Sequence, residues 1–380
     1  MVCITAQPTA AVTSVQQLKL DAFAHTTKPL HSMLETASNA STEDIATVSS
    51  SGSDALPVSP HGQHFVNHVR SVAPNRLVAG NEIDFDTYTK LGQGSIARVY
   101  RAKFAGRSVA IKMLRTDLGS DKKKSEMAQK DINRELKIVA QMPEHPHIIG
   151  FIAAGLGCSK EQSMQPMIVY EYMGAGSVES VFQSKANGKF GGGIWVPPRE
   201  LSIKWCQQLF SALEFMHTLQ TPLAHRDVKP ANLLMSADLQ AVKLCDFSLA
   251  TPMHERVQSY SNLPSIAGSM RYMAPEVAIN APFSLEKTDI FSASMTSFFL
   301  IHGRKPFTSL DANGAQEQLS KGLRPEVEDA QVAAVLSVGW AVDPSSRLSA
   351  AEMRERFDFG RSGSKPSLKK RILIKLGLRK

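Results

Sequence analysis

From Asp84 onward the chain alternates apolar and polar residues between turn signals, and before that point it shows no sustained period. Leu91-Gly92-Gln93-Gly94-Ser95-Ile96-Ala97-Arg98-Val99-Tyr100 reads as strand, glycine turn, strand. Ser108 to Leu114 reads as a buried strand that carries a lysine, Lys112, with apolar residues on both sides. Over 126–142 the period changes to that of a helix, with Ile132, Leu136, Ile138, Val139 and Met142 on one face. His145-Pro146-His147 ends that helix and a strand begins at Ile148. A polar hairpin near 157–165 leads into a second strand through Pro166-Met167-Ile168-Val169-Tyr170-Glu171. Residues 186–198, rich in glycine and proline, are expected to form a loop. A long amphipathic helix over Glu200 to Leu219 follows.

That helix delivers the chain into Ala224-His225-Arg226-Asp227-Val228-Lys229-Pro230-Ala231-Asn232-Leu233-Leu234, a polar run between apolar anchors. A carboxylate there can take a proton or orient a hydroxyl, a lysine can neutralise a phosphate, and an amide oxygen can ligate a hard cation. These are the parts of phosphoryl transfer, chemistry that asks mainly for positioning and charge neutralisation. Glycines at 92 and 94 suit backbone approach to phosphate oxygens, although a glycine pair alone is more often a plain hairpin. A buried Lys112 needs an anionic partner, because an unpaired buried charge is costly.

The run at 225–232 resembles the catalytic loop of eukaryotic protein kinases, H-R-D-x-x-x-x-N. Gly92 to Val99 resembles the kinase glycine-rich loop, with Ala97 in place of the third glycine. Val109-Ala110-Ile111-Lys112 matches the V-A-I-K strand, and Asp246-Phe247-Ser248 matches D-F-G with serine for glycine. Ala274-Pro275-Glu276 is the A-P-E segment; Asp289 matches the aspartate that braces the catalytic loop, with Ser294 where a glycine is usual. Arg347 matches the arginine that pairs with Glu276. The likeness covers about residues 84–359.

The resemblance implies an α+β, bilobal fold: a small, mostly-β N-lobe with one helix over 84–170, a hinge over 171–174, and a larger, mostly-α C-lobe over 175–359. It implies ATP and Mg²⁺ as cofactors. Asp227 would orient and deprotonate the acceptor hydroxyl, Lys229 would neutralise the γ-phosphate, and Asn232 and Asp246 would hold the metal. Lys112 would hold the α- and β-phosphates, paired with Glu135 on the following helix; Glu126 and Asp131 are alternatives for that pairing. The nucleotide would lie among Leu91, Gly92, Gly94, Ser95, Val99, Ala110, Lys112, Leu234 and Cys245, with adenine on the backbone of Glu171 to Met173 and Tyr170 as gatekeeper. Lys229 two residues after Asp227 resembles the Ser/Thr type, and Gly268 to Glu276 looks like the tyrosine-kinase-like and MAP-kinase-kinase-kinase branches. Ser269 and Tyr272 are expected to be structural, and Ser265, then Ser261, to be activating phosphosites read by Arg226 and set by an upstream kinase.

Composition adds limits. At 43% hydrophobic and 21% charged residues, the 380-residue chain suits a globular core with tails. Cys3, Cys158, Cys206 and Cys245 show no paired spacing, so neither a disulfide framework nor a zinc site is indicated. No apolar run reaches about 20 residues, and the N-terminus lacks a secretory pattern. An intracellular, mainly cytoplasmic setting is the simpler expectation, with nuclear or peripheral-membrane placement open and an organellar one disfavoured.

The net charge of +8 equals the eight basic residues of 361–380, a stretch without acids. A nucleic-acid-binding face is therefore unsupported. Leu368, Ile372, Leu373 and Leu376 make that tail a basic amphipathic helix suited to anionic membrane, calmodulin or an importin, or to packing back on the domain. Residues 1–80, rich in Ser, Thr and Ala, are expected to be mostly disordered. Within them His61, His64 and His68 lie at helical spacing beside Phe65, Val66 and Val69; a docked short helix or plain disorder is preferred to a metal site, since no carboxylate or cysteine is near. A catalytically dead kinase fold acting as a scaffold is the competing reading, but it predicts loss of Lys112, Asp227, Asn232 or Asp246, and all are retained.

Overall fold

The computed structural model describes residues 60–115, 122–158, 164–189, 193–254, 269–279, 281 and 283–359. Ser261, Ser265 and the basic tail lie outside the described residues.

Strands β1 (Leu77–Val78), β2 (Ile83–Gln93), β3 (Ala97–Phe104), β4 (Arg107–Leu114), β5 (Phe151–Cys158) and β6 (Met164–Glu171) form one sheet in the order β1-β5-β6-β4-β3-β2. The alternation along β4 explains its two faces. Val109, Ile111 and Met113 join Ala102, Met167 and Val169 in a core on one side of the sheet, while Ala110 and Lys112 point to the other. The β3–β4 hairpin turns at Ala105 and Gly106, both at positive φ (47° and 74°), the geometry a two-residue turn needs to match strand twist. Helix α1 (Pro60–Val72) and helix α2 (Lys122–Gln141) pack on the second face of this sheet.

Of the two readings open for the histidine patch, the docked short helix holds, and residues 60–80 depart from the disorder expected of the stretch around them. Phe65 and Val69, one helical turn apart, are fully buried in the cluster that contains Ala128, Ile132 and Leu136 of α2. His68 Nε2 bonds the Asn133 carbonyl at 3.1 Å, whereas His61 and His64 are exposed. Arg76 donates to the Phe151 carbonyl at 2.5 Å and lies over the Phe151 ring. A Cβ on Gly155 would collide with the Val78 carbonyl, so β1 can run beside β5 only because that residue is glycine. Two apolar residues suffice to dock the helix when α2 and β5 supply their cover.

The helical half follows β6. It contains β7 (Gly176–Ser177), α3 (Val178–Lys189), α4 (Arg199–His217), β8 (Leu223–Ala224), β9 (Leu233–Met235), β10 (Val242–Leu244) and β11 (Thr251–Pro252). It ends with α5 (Pro275–Ala278), α6 (Leu285–His302), α7 (Ala312–Ser320), α8 (Ala330–Gly339) and α9 (Ala350–Arg356). The loop expected over 186–198 starts later, because α3 runs to Lys189; one glycine in its last turn costs only about 1 kcal/mol. Helix α6 is buried nearly all round, at the centre of this half. Ser294 on α6 fits where a glycine was expected because the facing residue is itself glycine. A Cβ on Gly339 would strike the Ser294 hydroxyl, which donates to the Ile290 carbonyl at 2.8 Å.

Replacing Phe65 by alanine should cost about 3 kcal/mol of α1 docking. Hydrogen exchange should then show the α1 amides opening on the order of 100-fold more often, with α6 amides unchanged.

Candidate active site

The polar run at 225–232 is held from below by apolar residues and one carboxylate. Val228 and Leu233 are buried, and His225 is fully buried with its ring edge-on to Phe247 at 5.2 Å. Asp289 of α6, 1% exposed, accepts the backbone N–H groups of His225 (2.7 Å) and Arg226 (2.8 Å) and bonds His217 at 3.0 Å. Those bonds hold Arg226 at φ 69°, a left-handed conformation that a side-chain-bearing residue adopts only when its surroundings impose it. The Arg226 guanidinium donates to the Leu249 carbonyl and to Thr251 Oγ1.

Above this base Asp227, Lys229, Asn232 and Ser269 close a ring. Asp227 Oδ1 accepts from the Ser269 hydroxyl (2.7 Å), and Oδ2 accepts from Lys229 Nζ (2.7 Å) and Asn232 Nδ2 (2.9 Å). Lys229 also donates to Ser269 at 2.9 Å. Ser269, expected to be structural, is therefore a site residue. It lies 42 residues from Asp227, and the only sequence signal for it was a hydroxyl just ahead of A-P-E. Tyr272 is buried in the same segment, as expected of a structural residue.

A second charge cluster spans the two halves. Lys112 Nζ donates to Glu135 Oε2 (2.6 Å) and to Asp246 Oδ1 (2.8 Å). Of the candidate partners on α2, Glu135 is thus the one that pairs; Glu126 is exposed and Asp131 lies 3.9 Å from Arg134. Burial works against the Lys112 ammonium, but Asp246 and Glu135 outweigh it and push its pKa well up. Burial likewise opposes ionisation of Asp246, yet Lys112 wins and holds that carboxyl well below the usual range. Glu135 goes the other way: burial, the largest cause, raises it despite Lys112.

Asp246 sits at φ 65°, whereas Ser248 lies outside the left-handed region, so the missing glycine strains nothing at that position. The Ser248 side chain instead hydrogen-bonds Asp246. Phe247 is fully buried in the cluster that holds Leu136 and Val139 of α2.

Strand register brings the remaining candidates into line. Gly92 pairs with Val99, Val99 with Lys112, and Ala110 with Tyr170. Leu234 lies on β9, and the Cys245 N–H bonds the Asn232 carbonyl at 3.0 Å, placing Cys245 beside the ring. The Cys245 thiol is pushed far up by burial and then by Asp246, so it stays protonated. Leu91, Gly94 and Ser95 are exposed at the β2–β3 turn. Glu171 differs in detail from a residue that offers itself wholly to a ligand. Its carboxylate takes Lys243 (2.5 Å) and the Gly150 N–H (2.6 Å), and its own N–H goes to the Gly150 carbonyl, which leaves its carbonyl as the group a ligand could use. Met173 is buried just beyond.

Arg347 and Glu276 form a bidentate pair at 2.5 and 2.9 Å, both nearly inaccessible, tying α5 beneath the Ser269 segment to the loop before α9.

A sheet-rich half and a helical half joined at Glu171–Gly174, with these two charge clusters at the junction, define a protein kinase fold. Residues 85–357 match the family described as protein kinase domain, and the chain belongs to that family. Among its relatives is a serine/threonine-protein kinase-like protein of Arabidopsis thaliana, 32% identical over 223 residues, 58% of this chain and 56% of the relative. Another is mitogen-activated protein kinase kinase kinase 7 of Homo sapiens, 28% identical over 295 residues, 74% of this chain and 43% of the relative. Cysteine-rich receptor-like protein kinase 6 of Arabidopsis thaliana is 27% identical over 249 residues, 63% of this chain and 33% of the relative. The chain spans about half the length of the first of the curated relatives it matches, and less of the others.

Truncating Arg347 to alanine should destabilise the helical half by about 3–5 kcal/mol, because Glu276 would be left charged and buried without a partner. Urea unfolding followed by tryptophan fluorescence, with Trp205 and Trp340 both in that half, measures the shift.

Proposed function

We propose that this chain is a serine/threonine protein kinase that transfers the γ-phosphoryl group of MgATP to hydroxyls of protein substrates. The observation that carries the reading is the pair of clusters at the junction: the Asp227–Lys229–Asn232–Ser269 ring beside the Glu135–Lys112–Asp246 chain. The glycine turn supports it too. Neither Gly92 nor Gly94 has a positive φ, and a Cβ at either would meet no close protein atom, so packing does not demand glycine there and the approach of a phosphate would.

The residues present fit a hard divalent cation. Both amide N–H bonds of Asn232 are directed at Asp227, leaving its oxygen as the free end, and the Asp246 carboxylate keeps 38% exposure. One amide oxygen and one ionised carboxylate are the donors Mg²⁺ prefers. When bound, Mg²⁺ neutralises phosphate charge as it redistributes in transfer.

Asp227 orients the acceptor hydroxyl and takes its proton as the hydroxyl oxygen bonds to the γ-phosphorus and the bond to the β-bridging oxygen breaks. Lys229, already between Asp227 and Ser269, shares its ammonium with the γ-phosphate. Lys112, steadied by Glu135, holds the α- and β-phosphates, and Ser269 keeps the carboxylate of Asp227 from turning away. The Ser/Thr preference is supported by Lys229 two residues after Asp227 and by the names that the relatives carry. Regulation by an upstream kinase acting on Ser265 or Ser261 is part of the proposal, with Arg226, which directly precedes Asp227 in the chain, as the cation that would receive the phosphate. Among the described residues no helix is long and apolar enough to cross a membrane. Anionic membrane, calmodulin or importin remain the partners proposed for the basic tail.

With radiolabelled ATP and a generic protein acceptor, Asp227→Ala and Lys112→Met should each lower turnover at least about 1000-fold while circular dichroism shows both variants still folded. Ser269→Ala should lose about tenfold, since Asp227 keeps its bonds from Lys229 and Asn232. Wild-type protein with no transfer at all would favour the scaffold reading. Mass spectrometry of active protein should find phosphate on Ser265 or Ser261, and the double alanine variant should be the less active enzyme; full activity without either phosphate would exclude this regulation.

A further inference from the structure

Glu135 receives a second donor that the family-like ion pair does not require. Tyr170, on β6, donates its hydroxyl to Glu135 Oε1 at 2.7 Å, while Lys112 occupies Oε2 at 2.6 Å. Both side chains are almost inaccessible, Tyr170 7% and Glu135 1% exposed. The two donors differ in what else they do. Lys112 divides its ammonium between Glu135 and Asp246, and on the function proposed above it must also reach nucleotide phosphates. Tyr170 has no such competing duty. Its backbone lies in the interior of the sheet, with β6 between β5 and β4, paired with Phe151 on one side and Ala110 on the other. A donor fixed on an interior strand cannot follow α2 outward, so the bond fastens α2 to the sheet.

We propose that Tyr170 is a positioning residue for phosphoryl transfer: its phenol latches α2 to β6 through Glu135 and keeps that carboxylate in place when Lys112 turns toward the nucleotide. Without it, each movement of Lys112 toward phosphate would leave a fully buried carboxylate with a weakened partner, which is costly. This rests on the kinase reading only for what Lys112 engages; the latch itself is geometry.

The charged and titratable groups facing Glu135 are Lys112 from β4, Tyr170 from β6, and Asp246 and Cys245 from the segment after β10. Burial raises the Glu135 carboxyl first, and Asp246 adds to that; the Lys112 charge and the bonds from Lys112 and Tyr170 lower it. Removing the phenol donor therefore raises it further, and a higher pH is needed before the pair with Lys112 forms. The acid limb of the pH–rate profile moves upward.

Tyr170→Phe is the direct test, because phenylalanine fills the same space and removes only the hydroxyl. In the full chain, affinity for a fluorescent ATP analogue, measured in EDTA so that no metal contributes, should fall about tenfold. KM for ATP should rise by a similar factor with kcat changed less, and the acid limb should shift to higher pH. In the Glu135→Ala background the same substitution should change none of these, since the latch has nothing left to hold. Unchanged affinity and a superimposable pH profile for Tyr170→Phe would overturn the latch, as would an equal loss in the Glu135→Ala background. If the wild-type chain transfers no phosphoryl group, the kinase reading fails, and the nucleotide-affinity cycle still decides the role of Tyr170.

Discussion

The Lys112 ammonium is bonded to two carboxylates that come from opposite sides of the molecule, Glu135 on α2 and Asp246 on the segment after β10. Neither carboxylate could sit where it does without it. Glu135 is almost fully buried, and an unpaired carboxylate there would take up a proton rather than stay charged. Asp246 has a left-handed backbone that places its side chain toward the lysine. One cation thus sets the position of a helix against the sheet and of the sheet half against the helical half. The cost of burying it is offset only because both partners hydrogen-bond it within 2.8 Å.

The helical half shows the same logic with the signs exchanged. Asp289 accepts two backbone N–H groups and so holds the 225–227 backbone in a conformation the chain would not choose unaided. Arg347 matches Glu276 oxygen for nitrogen and fixes the segment that delivers Ser269 to Asp227. In both places a buried charge is used where direction matters, and apolar packing around it excludes water. Among the described residues Ala105, Arg226, Leu239, Asp246 and Phe307 are the non-glycine residues at positive φ, and Arg226 and Asp246 are the two that stand at the site, where imposed backbone geometry has a chemical use.

Additions at the edge of the family domain follow ordinary packing. The matched region begins at residue 85, yet α1 and β1 precede it and close over α2 and β5 with Phe65, Val69 and Val78. The serines at 248 and 294 are accommodated locally: one hydrogen-bonds Asp246, the other occupies space conceded by Gly339.

Much of the architecture could be read from residues alone, because its signals are local. Hydrophobic period distinguishes β4 from α2, glycines mark the β2–β3 turn, and the charged residues of the site stand at short, fixed spacings such as Asp227, Lys229 and Asn232. The pairing of Lys112 with Glu135 was legible too, since a lysine in a buried strand requires an acid and the next helix offers few. Residues that meet across long sequence separation were legible only where the family likeness carried them, as with Arg347 and Glu276 or Asp289 and the catalytic loop. The bond from Ser269 to Asp227 and the latch from Tyr170 to Glu135 each join segments whose sequences carry no mark of one another. A hydroxyl looks the same in a sequence whether or not a partner faces it. The sequence by itself therefore determined which chemistry is present and in what order; tertiary structure decided which groups share a hydrogen bond, because only packing brings distant backbone within reach.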